Sequence, residues 1–218
     1  MPSTYLTNLV TIAKGAGLAV VENDLTDGWR DRGHGGMSDV RTIVVHHTAG
    51  STAKKDARPM GSLRTLVSGR PDLRGPLCHY GLGRDGAVYP VAAGLAWHAG
   101  IVRHIDYVNS HSIGIECQNA GTSADPWPAR QVEALVQLCA SLCIAFGLDA
   151  SDVLGHKEVC DPKGRKIDPT LDMTDIRRRV RNEIAERADR GTPLPAPRPK
   201  PAAPRSRTSS AAPSRATA

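Results

Sequence analysis

The chain has 218 residues, of which 40% are hydrophobic and 23% are charged, and its formal net charge is +6. Because domains commonly contain about 150 residues, this length allows one domain, or one domain with a tail. Aromatic residues make up only 4% of the chain, so aliphatic side chains must fill most of the core. The sequence lacks a run of about 18 apolar residues, and we therefore predict no membrane span.

Helices are predicted where apolar residues recur every three or four positions, and strands where β-branched residues cluster. Asp85-Gly86 is a strong signal for a tight hairpin turn, and Gly147 is expected to stop a long helix over residues 129–146. In chain order the predicted elements are a helix over residues 4–16, a short strand over 18–22, a loop over 27–38, a strand over 42–46, a helix over 56–67 that begins near Pro59, a hairpin of 79–82 and 87–91, a strand over 112–118, a helix over 129–146, a short strand over 153–154 and a helix over 172–190. This alternation predicts an α/β fold in which helices cover both faces of a short central sheet.

Two adjacent histidines, His46 and His47, end the first strong strand. Alternate side chains of a strand point to opposite faces, so only one of the two can readily point at a given metal from this strand. Histidine is a common metal ligand, but a lone buried histidine is more often a hydrogen-bonded core residue. The pair alone therefore leaves both interpretations open.

A second set of candidate ligands lies far downstream, in a loop rich in Gly and Pro. His156, Cys160, Asp161 and Asp168 all occur there. Zinc sites with three protein ligands and one open position catalyse hydrolysis by activating water. Two such segments in one chain favour a catalytic metal site over two unrelated histidines.

Glu116 and Lys166 are two further candidates for catalysis, and each also has a non-catalytic interpretation. Gly114 and Glu116 share one face of the predicted strand, so the carboxylate would have an uncluttered approach, whereas an exposed Glu in solvent is the alternative. Lys166 and Asp168 are two positions apart and project to one side of an extended segment. A solvated basic turn is the alternative for Lys166.

Between the two candidate segments the chain contains three further motifs, Cys78-His-Tyr-Gly-Leu-Gly-Arg-Asp-Gly, Ala96-Trp-His-Ala-Gly100 and Ser112-Ile-Gly-Ile-Glu116. Taken in order with the His-His strand and the Gly-Arg-Lys-x-Asp-Pro loop, they resemble the zinc-dependent N-acetylmuramoyl-L-alanine amidases, a family shared by phage endolysins, bacterial recycling amidases and animal peptidoglycan recognition proteins. The resemblance covers about residues 27–180. It implies that family's fold, a single domain with a central mixed sheet flanked by helices.

The resemblance also assigns roles to individual residues. It implies Zn2+ as the cofactor, peptidoglycan as the partner, and Glu116 and Lys166 as catalytic residues. Cys160 stays open as a competing third ligand, because some relatives use Cys there. The implied metal ligands are His46, His156 and Asp168, and the implied substrate-binding residues are His47, His79, Trp97, His98 and Asn109.

A structural role in packing and hydrogen bonding is an equal alternative for His79, Trp97, His98 and Asn109. One position departs from the family. Many phage and animal members carry Tyr immediately before the position of His79, where this chain has Cys78. A contribution of that hydroxyl group to catalysis is therefore not expected here.

The implied chemistry is hydrolysis of the amide that joins N-acetylmuramic acid to L-alanine of the stem peptide. Zn2+ would lower the pKa of its bound water toward about 7. Glu116 would take the proton from that water and later deliver a proton to the departing amine. Zn2+ and Lys166 would stabilise the oxyanion.

The last segment, residues 191–218, is rich in Pro, Ala, Ser and Arg and contains no Asp or Glu. The segment has too few large apolar side chains for their burial to offset the chain entropy that is lost on folding. We therefore predict a disordered tail. Two interpretations of its positive charge are open: binding of polyanions, or a solvated linker that only keeps the chain soluble. No aromatic residue lies among its arginines, which disfavours stacking on nucleic-acid bases. The predicted organisation is an N-terminal helix and short strand in residues 1–26, the amidase domain in 27–190, and this tail.

Five cysteines without a CxxC pair indicate free thiols and folding in a reducing compartment. The N-terminus lacks a basic region followed by an apolar run, so no secretory signal is expected. We therefore expect synthesis in the cytoplasm of a host cell and action on the cell wall after release through a membrane lesion.

The leading interpretation is a monomeric phage endolysin without a specific nucleic-acid partner. A cytoplasmic muropeptide-recycling amidase is the nearest alternative. A non-catalytic peptidoglycan-binding module is a second alternative, although members of that kind lose a zinc ligand and all three are present here. A structural zinc protein that binds nucleic acid is a third, and it would have a closed four-ligand site.

Overall fold

The protein is described by a computed structural model that covers residues 4–50 and 58–191. Seven strands and five α-helices of this part of the chain define the fold. The strands are β1 (Thr42–His47), β2 (Gly69–Arg70), β3 (Leu73–Arg74), β4 (Tyr80–Leu82), β5 (Val88–Pro90), β6 (Ser112–Cys117) and β7 (Val153–Gly155). The helices are α1 (Leu9–Gly15), α2 (Leu63–Ser68), α3 (Ala129–Phe146), α4 (His156–Val159) and α5 (Met173–Asp189).

Five strands form one mixed sheet in the order β5-β4-β6-β1-β7, and β2 and β3 form a separate two-stranded ladder. Within the main sheet, β4 and β5 are antiparallel, while β4, β6, β1 and β7 run parallel. Parallel neighbours direct their carboxyl ends to the same edge, so loops that follow β1, β6 and β7 meet there. The predicted mixed sheet flanked by helices is confirmed.

One face of the sheet is packed against α1, α3 and α5. Ile43 and Val45 of β1 and Ile113 and Ile115 of β6 point into this core and are fully buried. These are the alternate, β-branched positions of each strand, so burial follows the two-residue period. The residues between them necessarily face the opposite side of the sheet.

The opposite face is covered only in part. Met60 and Leu66, from the α2 segment, pack against Gly81 of β4, where a Cβ atom would lie 3.0 Å from Met60 Cε. Beyond this contact the same face carries polar side chains, among them His46 and Glu116. Helices therefore lie on both faces, and the second face leaves room for a site.

Helix α3 has the length and composition of a membrane-crossing helix, with 18 residues and a mean hydropathy of 1.3. However, 56% of this stretch is buried inside the protein, where it packs against α1 and α5. Core helices show the same hydropathy. Packing within the fold therefore accounts for the apolar character of α3.

The helix predicted over residues 129–146 and the hairpin are confirmed. Helix α3 has the predicted bounds, and Gly147 ends it in the left-handed conformation with φ 64°. At the hairpin turn Gly86 has φ 83°, and Asp85 Oδ1 accepts a hydrogen bond from the Ala87 N–H at 3.1 Å. All five cysteines have free thiols, as predicted, and all five are buried.

The N-terminal predictions require correction. The strand predicted over residues 18–22 is a single bridge between Val20 and Val88, because it meets β5 only there. The first helix starts at Leu9, since Thr4 pairs with Met37 instead of entering the helix. The ladder of β2 and β3 was not predicted, because two-residue strands leave no periodic pattern.

Two predictions fall partly outside the described residues. The helix predicted over residues 56–67 is observed as α2, which starts at Leu63, and residues 51–57 lie outside the description. The tail predicted over residues 191–218 lies outside it from residue 192 onward. Residues 4–26 pack into the same core as the rest of the domain.

Candidate metal site and its cavity

The carboxyl ends of β1, β6 and β7 open into a cavity of about 650 Å³. His46 lies at the end of β1, and Glu116 is its register partner on β6. His156 follows β7 directly as the first residue of α4, and Asp168 lies in the loop before α5. All four line the cavity, although more than a hundred residues separate His46 from His156 in sequence.

Three side chains converge on one point. His46 Nδ1 lies 3.0 Å from His156 Nδ1 and 3.2 Å from Asp168 Oδ2, and His156 Nδ1 lies 3.0 Å from the same Asp168 oxygen. Among the described residues, this is the group of His, Cys, Asp or Glu side chains that could hold a metal ion. The three predicted ligands are therefore brought together.

The triangle fits a zinc ion. Bonds of about 2.0–2.2 Å in tetrahedral geometry separate ligand atoms by about 3.3 Å, close to the observed distances. His156 Nε2 lies 3.0 Å from the Ala99 carbonyl oxygen, which can only accept, so this nitrogen carries the proton and Nδ1 has a free lone pair. Two imidazoles and one carboxylate are a ligand set typical of catalytic zinc.

The protonation states suit metal binding. Burial lowers the pKa of His46 to about 4, so the imidazole is neutral at pH 7. Burial acts to raise the pKa of Asp168, but its hydrogen bonds with His156 and His46 outweigh this effect and hold the pKa below its ordinary value. Neutral imidazole and ionised carboxylate are the forms that ligate metals.

Cys160, the competing ligand, lies outside the triangle. Its thiol is 1% exposed and contacts the carbonyl oxygens of Lys157 and Pro162 at 3.7 and 3.6 Å. It does not line the cavity. Asp161, the other candidate in this loop, is also absent from the cavity wall. The geometry therefore favours Asp168 as the third ligand.

Glu116 is half-buried beside the triangle. Its Oε2 atom is buried and has no hydrogen-bond partner in the described part of the chain. Burial, together with the carboxylate of Asp168, raises the pKa of Glu116 to about 8, while Lys166 and Arg70 act in the opposite direction. A bound divalent cation would likewise favour the ionised form. A carboxyl group with one unpaired oxygen in this position can accept or donate a proton.

The predicted open approach beside Gly114 is wrong. The ring of His98 fills that space, and a Cβ atom on Gly114 would lie 2.5 Å from His98 Cγ. Alternation along the strand correctly places Gly114 and Glu116 on one face. It could not reveal that a side chain from a loop would occupy the space above the glycine.

Three cationic side chains line the cavity, namely Arg70, Arg165 and Lys166. Lys166 is the predicted catalytic lysine, and it lies near enough to Glu116 and His46 to affect both pKa values. Arg165 is held by the carbonyl oxygens of Asp161 and Ile101, which accept its Nε–H and Nη2–H at 2.7 Å each. The cavity is thus electropositive around its two carboxylates.

Trp97 forms an exposed wall of the cavity. Its side chain is 38% exposed, and its ring stacks on His34 with centroids 3.7 Å apart and planes 8° from parallel. The exposed ring can offer a flat apolar surface to a ligand. His34 was not predicted, because its glycine-rich loop gave no sign that it would reach the site.

Two predicted substrate-binding residues form hydrogen bonds within the protein. Asn109 lines the cavity, but its Oδ1 accepts hydrogen bonds from the backbone N–H groups of His98 and Ala99 at 3.0 and 2.8 Å. His98 also lines the cavity, and its Nδ1 lies 3.1 Å from His46 Nε2. Both residues support the site from within the protein.

His79 and His47 differ in their access to the cavity. His79 is fully buried, is not part of the cavity wall, and accepts a hydrogen bond at Nδ1 from the Gly114 N–H at 3.0 Å, so its predicted substrate contact is corrected to a structural role. His47 lines the cavity and is 8% exposed. Its ring packs against Gly121, where a Cβ atom would lie 2.3 Å from His47 Cε1.

A comparison with protein-family models matches residues 36–171 to the family described as N-acetylmuramoyl-L-alanine amidase. The match includes the three ligands of the triangle and Glu116. The chain belongs to this amidase family. No curated protein sequence matches this member of the family.

Solved structures share the amidase fold. AmiD from E. coli, in complex with anhydro-N-acetylmuramic acid-L-Ala-D-gamma-Glu-L-Lys, is 24% identical with a TM-score of 0.51, over 68% of this chain and 60% of AmiD. AmpDh3 from Pseudomonas aeruginosa, in complex with anhydromuramic pentapeptide, is 23% identical with a TM-score of 0.51, over 73% and 66%. A mutant endolysin from Bacillus subtilis is 22% identical with a TM-score of 0.51, over 77% and 99%. The amidase thus spans less than two thirds of the AmiD chain.

The ligand assignment predicts which variants of this amidase lose zinc. We expect purified Asp168→Ala to retain far less Zn2+ than the unchanged protein, because it removes one corner of the triangle. Cys160→Ala should retain its Zn2+, because Cys160 is outside the triangle and does not line the cavity. Metal content per chain, measured by elemental analysis after dialysis, tests both variants. Zinc lost from Cys160→Ala but kept in Asp168→Ala would reverse the assignment.

Proposed function

We propose that the protein hydrolyses the amide between N-acetylmuramic acid and L-alanine in peptidoglycan, and that it requires Zn2+. The observation that carries the proposal is the convergence of His46, His156 and Asp168 in a cavity that also contains Glu116, within the segment that matches the amidase family. The substrate bound to AmiD and the anhydromuramic pentapeptide bound to AmpDh3 both contain muramic acid and a peptide, which supports the same substrate class here.

In this proposal the metal would be held by His46 Nδ1, His156 Nδ1 and Asp168 Oδ2. When bound, Zn2+ supplies a Lewis acid that lowers the pKa of water and polarises a carbonyl oxygen. Three protein ligands would leave one position open for water. A non-catalytic zinc protein with a closed site would need a fourth ligand, and none joins the triangle from the described residues.

Glu116 is the proposed general base and general acid. It takes a proton from the water that attacks the amide carbonyl, and the new C–O bond forms. As the C–N bond breaks, it returns that proton to the leaving amine of L-alanine. Its unpaired, buried Oε2 atom and its raised pKa suit a group that must both accept and donate a proton near neutral pH.

Lys166 is proposed to stabilise the negative charge that develops on the carbonyl oxygen. Its ammonium group shares the cavity with Glu116 and Asp168. Trp97, with its exposed ring at the cavity wall, is proposed to stack on a sugar ring of the glycan strand. His47 remains a candidate for contact with the peptide, since it lines the cavity.

For the biological role we propose a phage endolysin. The chain covers 99% of the Bacillus subtilis endolysin structure, which supports a catalytic unit of that size. Synthesis in the host cytoplasm and passage to the wall through a membrane lesion belong to this proposal. A cytoplasmic amidase that recycles soluble muropeptides is the second candidate, because AmpD also shares the fold over 94% of its chain.

The bond specificity can be tested on purified cell walls. We expect the unchanged protein to release new L-alanine amino termini without new reducing sugar ends. Glu116→Gln, which keeps the shape but cannot transfer the proton, should slow this release by about 10²–10⁴-fold while zinc content stays the same. Amino-terminal labelling and a reducing-sugar assay measure the two products. Reducing ends without amino termini would identify a glycosidase and refute the proposal.

The charge on Lys166 should matter for turnover more than for binding. We expect Lys166→Met to lower kcat about 100-fold with little change in KM, because a charge stabilised only in the transition state is lost. Lys163→Met, an exposed residue of the same loop, is the matched control and should behave like the unchanged protein. Steady-state kinetics on a soluble muropeptide give both constants. Equal kcat for the two variants would contradict the role of Lys166.

The endolysin role requires action on the intact polymer. We expect the protein to solubilise intact sacculi, measured by the fall in turbidity, with Glu116→Gln as the inactive control. A protein that cleaves soluble anhydromuropeptides but leaves sacculi intact would instead be a recycling amidase.

A further inference from the structure

Three histidines form a row that runs from the metal site into the protein interior. The ring of His98 lies edge-on to His46, with centroids 5.2 Å apart, and edge-on to His79, with centroids 5.7 Å apart. His46 is one corner of the ligand triangle. His98 is not a ligand, but it is the neighbour that contacts the second ring nitrogen of His46.

The hydrogen bonds between His98 and Ser112 determine which nitrogen of His98 carries the proton. The Ser112 hydroxyl lies 2.9 Å from the Val108 carbonyl oxygen and 3.2 Å from that of Tyr107, so it donates its one proton there. His98 Nε2 lies 3.2 Å from the Ser112 carbonyl oxygen and 3.4 Å from the Ser112 hydroxyl oxygen. Both oxygens can only accept from this nitrogen. His98 therefore carries its proton on Nε2.

The proton on His98 determines the state of His46. A neutral imidazole protonated at Nε2 has its lone pair on Nδ1, and His98 Nδ1 lies 3.1 Å from His46 Nε2. His46 must then donate from Nε2 and keep the lone pair on its own Nδ1. That Nδ1 is the atom that faces His156 and Asp168.

We propose that His98 is a positioning residue that fixes the tautomer and the ring orientation of the ligand His46. This inference rests on the zinc site of the proposed function. Ligating histidines usually donate their second N–H to a carboxylate, a backbone carbonyl or water, and loss of that partner costs 10–100-fold in metal affinity. Here an imidazole stands between the ligand and the carbonyl of Ser112.

The surroundings of His98 hold its ring in place without the metal. Gly114 lies beneath the ring, where any Cβ atom would come within 2.5 Å of His98 Cγ. Asn109 Oδ1 accepts the His98 N–H at 3.0 Å, which anchors the backbone. A glycine and an asparagine of the family-matched segment thus act on the metal site through His98.

Two amide substitutions separate the hydrogen bond from ring packing. His98→Asn retains an acceptor oxygen near the position of Nδ1, whereas His98→Gln reaches the position of Nε2 and has no acceptor at Nδ1. We expect His98→Gln to bind Zn2+ about 10–100-fold more weakly than the unchanged protein, and His98→Asn to stay within roughly threefold. Competition with a chromogenic chelator at fixed pH measures the affinities.

Gly114→Ala provides a second route to the same result, because it displaces the ring without changing His98. We expect a comparable 10–100-fold loss of zinc affinity. Thermal melting of the metal-free proteins shows that each variant is folded, and His98→Asn and Gly114→Ala keep the test valid if His98→Gln does not fold.

Unchanged zinc affinity in His98→Gln or Gly114→Ala would overturn the inference, as would an equal loss in His98→Asn and His98→Gln. If the unchanged protein itself failed to bind Zn2+, the proposed function would fail instead, so the two failures are distinguishable.

Discussion

The parallel pairing of β1 with β6 on one side and β7 on the other is the constraint on which the site depends. Its register places His46 beside Glu116, and it brings the start of α4, with His156, to the same edge. The register is secured by the alternate residues that fill the apolar core, since a shift by one residue would turn each of them to the wrong face. Core packing on one face therefore sets the distances between polar groups on the other.

Two glycines on the second face of the sheet leave room for side chains from other segments. Gly81 admits Met60 from the α2 segment, and Gly114 admits His98. The first contact closes part of the face with apolar groups, and the second introduces a buried imidazole next to His46, a candidate metal ligand. A buried polar group is costly unless it is hydrogen-bonded, and His98 satisfies both ring nitrogens through His46 and Ser112. The polar half of this face is thus a connected network.

Features that depend on local pattern could be predicted from the sequence. Helix α3 follows from its apolar period and Gly147. The candidate ligands His46, His156 and Asp168, which the structure brings together, are implied by the resemblance of the spaced motifs to the amidase family. Features that depend on contacts between distant segments could not be predicted in this way. The stacking of His34 on Trp97 and the complete burial of His79 arise from loop packing, which leaves no periodic trace in the sequence.

The position of His34 has a consequence for engineering this enzyme. The family match begins at residue 36, yet the residue that backs Trp97 precedes it, and so do the buried side chains of Leu9 and Trp29. A catalytic unit trimmed at the family boundary would lose both a supporting ring at the cavity and part of its hydrophobic interior. Chimeras that graft this hydrolase onto foreign wall-anchoring modules should therefore carry the N-terminal segment intact and place the junction at the opposite terminus.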